Sequence, residues 1–202
     1  MITLTFNQCS KCKTGKYLGQ LNLTQNDLNT VPYLVNQIII FKDSIGDSVC
    51  FNNFSRSSTR ETLYDLNGYD YRQVEQNCDI NYYNAERNST IFLGIYENQM
   101  NIDLAYTNSS NYSYTFKKYL LFNVSFKDSL LLTSTVTFPI DSLNINYSVN
   151  SPGSLISYYD SLLIGNRYFY SVYKLKQTLY YSLNNGVVGF KTNDNKIWHK
   201  TN

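Results

Sequence analysis

Two short runs of alternating apolar and polar residues, Thr178 to Leu183 and Val187 to Lys191, meet across Asn184-Asn185-Gly186. Asn-Gly supplies the positive φ angles that a tight hairpin turn demands, so the spacing predicts two antiparallel strands in fixed register. The pattern extends both ways. Arg167 to Leu175 alternates Tyr168, Tyr170 and Val172 against Phe169, Ser171, Tyr173 and Leu175, and its apolar content on both sides predicts a central strand. Downstream, a polar turn at 192–195 returns the chain into Lys196 to His199, which would set Trp198 beside Phe190 or Val188.

The same signal recurs upstream. Gln37 to Phe41 and Asp47 to Phe51 predict a hairpin around Ser44-Ile45-Gly46, and Thr90 to Tyr96 with Met100 to Tyr106 predict another. From Asn111 to Phe126 one face carries Tyr112, Tyr114, Phe116, Leu120, Phe122, Val124 and Phe126, interrupted by Lys118, and Lys117-Lys118 is where a bulge is expected. Leu130 to Ile140 and Leu143 to Val149 continue the alternation. Leu155 to Ile164 fits helical spacing as well, but its place between Pro152-Gly153 and Gly165-Asn166 favours a strand. The single helix candidate is 56–68, where Ser58-Thr59-Arg60-Glu61 resembles a capping box and Gly68 offers a stop.

Twenty Tyr and eleven Phe against three Pro agree with β structure, because aromatic side chains suit a half-buried pleated face. At 202 residues and 43% hydrophobic the chain is long enough for one filled core. The expected fold is therefore all-β: a single antiparallel sheet-rich domain over residues 19–202, curved or partly closed into a barrel, with a two-sheet sandwich as the alternative. Residues 1–18 read as a leader remnant or tether.

A formal charge of +2 with 16% charged residues provides no basic footprint for nucleic acid. No apolar run approaches the roughly 20 residues of a membrane-spanning helix. Catalysis is not expected: the lone His199 lies near the C-terminal end of the sequence, no phosphate-binding glycine loop is present, and no spacing singles out a carboxylate pair among Glu61, Glu75, Glu86 and Glu97. Cys9-Ser10-Lys11-Cys12 has the spacing of zinc and redox motifs, but no second ligand pair and no βαβ setting accompany it, so neither metal nor cofactor is expected. The apolar residues before Cys9 read instead as the end of a leader that stops at an attachment cysteine.

Val31-Pro32-Tyr33, Gln37 to Gly46, Tyr170-Ser171-Val172-Tyr173, Tyr180 to Lys191 and Trp198 together resemble uncharacterised cell-envelope lipoproteins of Bacteroidetes. The resemblance covers both ends of the chain and implies an exported protein in the periplasm or at the surface, held to the membrane by a lipid on Cys9; a monomer is expected. It implies no activity. In an exported β protein Cys50 and Cys78 are expected to form a disulfide, with two buried free thiols as the alternative. Asp-Ser followed by an aliphatic residue resembles the O-glycosylation signal of these bacteria and marks Ser44, Ser48, Ser129, Ser142 and Ser161, although Asp-Ser is also good turn chemistry. Two functions are open at this level. One is a binding protein that holds an apolar or lipid-like ligand in a concave sheet; the other is a surface module that recognises protein or glycan through exposed Tyr.

Overall fold

A computed structural model describes residues 15–65, 81–94, 98–108, 116–125, 134–140, 156–176 and 178–202. These hold twelve strands and one short helix. In chain order they are β1 (Tyr17–Leu21), α1 (Gln25–Asn29), β2 (Ile38–Lys42), β3 (Ser48–Tyr64), β4 (Tyr82–Gly94), β5 (Gln99–Asn108), β6 (Phe116–Ser125), β7 (Ser134–Pro139), β8 (Ile156–Ile164), β9 (Arg167–Leu175), β10 (Leu179–Ser182), β11 (Gly186–Lys191) and β12 (Ile197–Lys200).

All twelve strands belong to one sheet, ordered β7-β6-β5-β4-β3-β2-β12-β11-β10-β9-β8. Every pairing along this path is antiparallel; β1 alone pairs parallel, with the first half of β4. β4 meets β1 over Tyr82–Ala85 and β5 over Arg87–Leu93, so the sheet forks where β5 and β6 leave β4.

The sheet is curled, not flat. β6 and β10 are seven strand spacings apart, about 34 Å in a flat sheet. Yet the rings of Phe122 on β6 and Tyr181 on β10 lie 4.8 Å apart. Only a sheet folded round on itself brings them together, and one core cluster joins Ile39, Phe41, Phe51, Phe92, Ile102, Leu120 and Phe122 to Leu175, Leu179, Tyr181, Val187 and Phe190. The architecture is a half-barrel made by one continuous sheet, rather than two stacked sheets. β7 and β8 are its two ends.

The link between β1 and β2 lies across the concave face. Thr24 caps α1, its Oγ1 accepting the Asp27 N–H while the Asp27 carboxylate accepts the Thr24 N–H at 2.8 Å. Asp27 is buried and pairs with Lys118 of β6 at 2.7 Å, which is why a lysine interrupts the apolar face of that strand. Leu23, Val31 and Tyr33 complete the core.

Three expectations need correction. Residues 56–64 belong to β3, not a helix: Ser58 to Glu61 pair in unbroken register with Asn88 to Ala85, because a paired strand satisfies every backbone group that an isolated cap would leave open. β6 runs through Lys117-Lys118 without a bulge, in constant register with β5. β9 is bent rather than regular. Ser171 takes φ +52°, and this left-handed residue turns Phe169 and Val172 to the same face, so that β8–β9 pairs with β10 at one end and folds over the convex side of β11 at the other.

No disulfide is seen among the described residues. The Cys50 thiol is free, and Cys78 lies outside the described residues. The Asp65 N–H donates to the Asn81 carbonyl at 2.7 Å, at the far end of β3 from Cys50. Cys50 lies near the start of β3, which runs on to Tyr64.

Candidate functional site

Two surface features are formed by side chains that the fold holds in place. The first is the ribbon of β8 and β9. Leu162, Ile164 and Phe169 face inward onto Tyr180 and Val188, forming a second, smaller core on the convex side. Gly165, at φ +63°, lies against the His199 imidazole, and Arg167 donates to the Thr201 carbonyl at 3.1 Å. These contacts pin the ribbon by one face, so the alternation of a pleated strand leaves the other to solvent. On that outer face Leu163 opposes Tyr168 and Ser161 opposes Tyr170. Tyr168 is 62%, Tyr170 69% and Leu163 51% exposed.

The second feature is a cleft of about 520 Å³ where α1 and the loop after it meet the β10–β11 turn. Leu28, Pro32 and Leu183 form apolar walls, while the amides of Gln25, Asn29 and Asn184 stand at the rim. Arg56 of β3 reaches in from below. Its Nε donates to Asn88 Oδ1 at 3.0 Å, Nη1 to the carbonyls of Val31 and Tyr33, and Nη2 to that of Leu28 at 3.2 Å. The guanidinium thus closes the C-terminal end of α1 and fixes the loop that follows. Tyr33 anchors that loop from inside: its ring meets Phe92 edge-on at 4.8 Å, and its hydroxyl accepts the Val187 N–H.

The concave face that would receive an apolar ligand is filled, among the described residues, by the core cluster and the β1–β2 link. Of the candidate glycosylation sites, Ser44, Ser48 and Ser161 are exposed, while Ser129 and Ser142 lie outside the described residues, as does Cys9. At Asp43-Ser44-Ile45 the turn chemistry is explicit. Asp43 Oδ1 accepts the N–H groups of Ile45, Gly46 and Asp47 at 3.0, 2.8 and 2.9 Å. Burial alone would raise the Asp43 pKa, but these N–H groups and Lys196 outweigh it and hold the carboxyl below its usual range.

Glu61 and Glu86 do not converge: Glu61 opposes Ala85, the neighbour of Glu86, so the two carboxylates leave opposite faces of the sheet. Glu61 pairs with Arg87 at 3.4 Å, and Glu86 accepts the Leu23 N–H and the Ser58 hydroxyl. Glu75 and Glu97 lie outside the described residues. No metal-holding group of His, Cys, Asp and Glu occurs among the described residues, and no helix there is long and apolar enough to cross a membrane.

Sequence reasoning missed the cleft. Its one legible signal was Thr24-Gln25-Asn26-Asp27, a capping box with Asp in place of the usual Glu or Gln, and it governs only a five-residue helix. Arg56 carried no signal, because its acceptors are backbone carbonyls far along the chain. No protein-family model matches the chain, and no curated protein or solved structure matches it.

Proposed function

We propose that the protein is a non-catalytic recognition module that engages a protein partner through the outer face of the β8–β9 ribbon. The observation that carries this reading is the exposed set Leu163, Tyr168 and Tyr170 on a ribbon pinned from behind. Tyr is enriched at interfaces because it brings a large, rigid apolar surface and a polar tip at small entropic cost, and an aliphatic neighbour extends that surface to a protein partner. A lipid held in the concave sheet has less support, since that side is occupied by Tyr33, Phe122, Tyr181 and their neighbours.

A photo-crosslinking residue in place of Tyr170, in the native host, tests it. One protein should be captured there and not from the same residue at Tyr64, and Tyr168→Ala with Tyr170→Ala should abolish capture while leaving the melting temperature unchanged. Binding of the purified chain to a glycan array with the same Tyr dependence, and no protein capture, would reverse the choice of partner.

The proposal includes export and anchoring at the envelope through Cys9, supported by the leader-like residues before it and by the resemblance of both chain ends to envelope lipoproteins. One acyl chain gives only marginal membrane binding, so a stable anchor requires more than one. A palmitate analogue should label the wild type and not Cys9→Ala; an unlabelled protein in the cytosolic fraction removes this part.

A further inference from the structure

The cleft walls carry positive charge that nothing described in the fold neutralises. Arg87, Lys118 and Lys196 each face a carboxylate within 3.4 Å. Arg56 faces none: its partners are one amide and three carbonyls. Directly behind the cleft, Lys200 is only 8% exposed, yet its Nζ donates to the Asn185 carbonyl at 2.9 Å and stands 5.9 Å from the Tyr33 ring centroid, with no carboxylate partner among the described residues. The residues lining the cleft include no Asp or Glu. A concave site with one sign of charge behind low-dielectric walls focuses its field outward and concentrates the opposite charge. Burial, and then the nearby Arg167, lower the Lys200 pKa, as expected for a cation lacking its counter-ion.

The rim narrows the class of anion. Gln25 Nε2 donates to Asn29 Oδ1 at 3.0 Å, so the pair still offers the Gln25 carbonyl oxygen and the Asn29 amide protons, with Asn184 opposite. Side-chain amides both donate and accept, which suits hydroxyl groups. The Arg56 guanidinium has five N–H groups, and its four recorded bonds leave one for a ligand. The backbone it touches presents carbonyls, not the convergent N–H groups that a phosphate dianion needs.

We propose that this cleft binds a small hydroxylated carboxylic acid, with its carboxylate toward Arg56 and its hydroxyls meeting the amides of Gln25, Asn29 and Asn184. The site is separate from the β8–β9 ribbon and does not depend on that surface having a partner.

Titration of the full chain with glucuronate, glucose and inorganic phosphate, followed by backbone amide NMR shifts, tests the assignment. Glucuronate should shift residues 25–34, 56 and 183–184 and bind at least about tenfold tighter than glucose, since a hydrogen bond to a charged group adds that much or more. Added salt should weaken it. Arg56→Met would remove a guanidinium that ties down three carbonyls and an amide, and with it the loop that forms the cleft. The exposed changes Asn29→Ala and Asn184→Ala therefore carry the test: each should weaken glucuronate severalfold with the melting temperature unchanged. Equal binding of glucose, tighter binding of phosphate, absence of shifts at the cleft, or indifference to both substitutions would each overturn the proposal and leave Arg56 a structural tie.

Discussion

Gly186 and Tyr33 show how much a single position decides. Gly186 takes φ +71° at the end of the Asn184-Asn185-Gly186 turn, a conformation that costs other residues roughly 1–2 kcal/mol. A Cβ added there would land on the Tyr33 ring and hydroxyl, which are fully buried. Gly186→Ala should therefore lose at least about 2 kcal/mol in urea unfolding, with strain and overpacking acting together. A variant as stable as wild type would mean that Tyr33 does not pack beneath this turn. The buried hydroxyls also set an alkaline limit. Burial pushes the Tyr33 pKa far up, only partly offset by the Val187 N–H, and burial followed by the neighbouring Tyr33 does the same to Tyr181 against a smaller pull from Arg56. With folded values above the unfolded one, their stabilisation is complete below about pH 10 and drains away as pH rises beyond it. Urea melts across that range should show a falling unfolding free energy, and Tyr33→Phe should make the fall shallower.

At the scale of elements, the strands were legible and their bends were not. Alternation and polar turns place β2, β5, β6 and β8 to β12 close to where they occur, and of the two neighbours the spacing offered Trp198 it is Phe190 that stacks with it, at 6.0 Å across β11 and β12. Alternation is a local property, so it survives without any knowledge of neighbours. The bend at Ser171 left no trace, because serine is not a residue that announces a positive φ. Ser171→Gly should hold or raise stability, by up to about 1 kcal/mol, since relief of left-handed strain competes with added chain entropy; Ser171→Val should lose about 1–2 kcal/mol. Chemical denaturation of both variants checks the bend, and an unaffected valine variant would remove it. Lys118 was visible as a break in an apolar face but not as the partner of Asp27, which sits 91 residues away in sequence.

At the scale of the whole molecule, Cys50 of β3 carries a free thiol. Peptide mapping under non-reducing conditions should recover Cys50 unbridged and alkylatable after unfolding, and any peptide disulfide-linked through Cys50 would contradict the free thiol. An all-β, antiparallel fold was determined by the sequence alone, because alternating apolar residues with tight turns have few other ways to bury one face, whereas a curled single sheet and a two-sheet sandwich both satisfy that pattern. Which ends of the sheet face each other was decided by tertiary structure: the approach of β6 to β10 crosses seven strand spacings, and the aromatic side chains that drive it carry no code for their partners. The cleft belongs to the same class. Arg56, Asn184 and α1 come from three distant stretches, and their meeting depends on a curl that exists only once the hydrophobic faces of both halves close on one another.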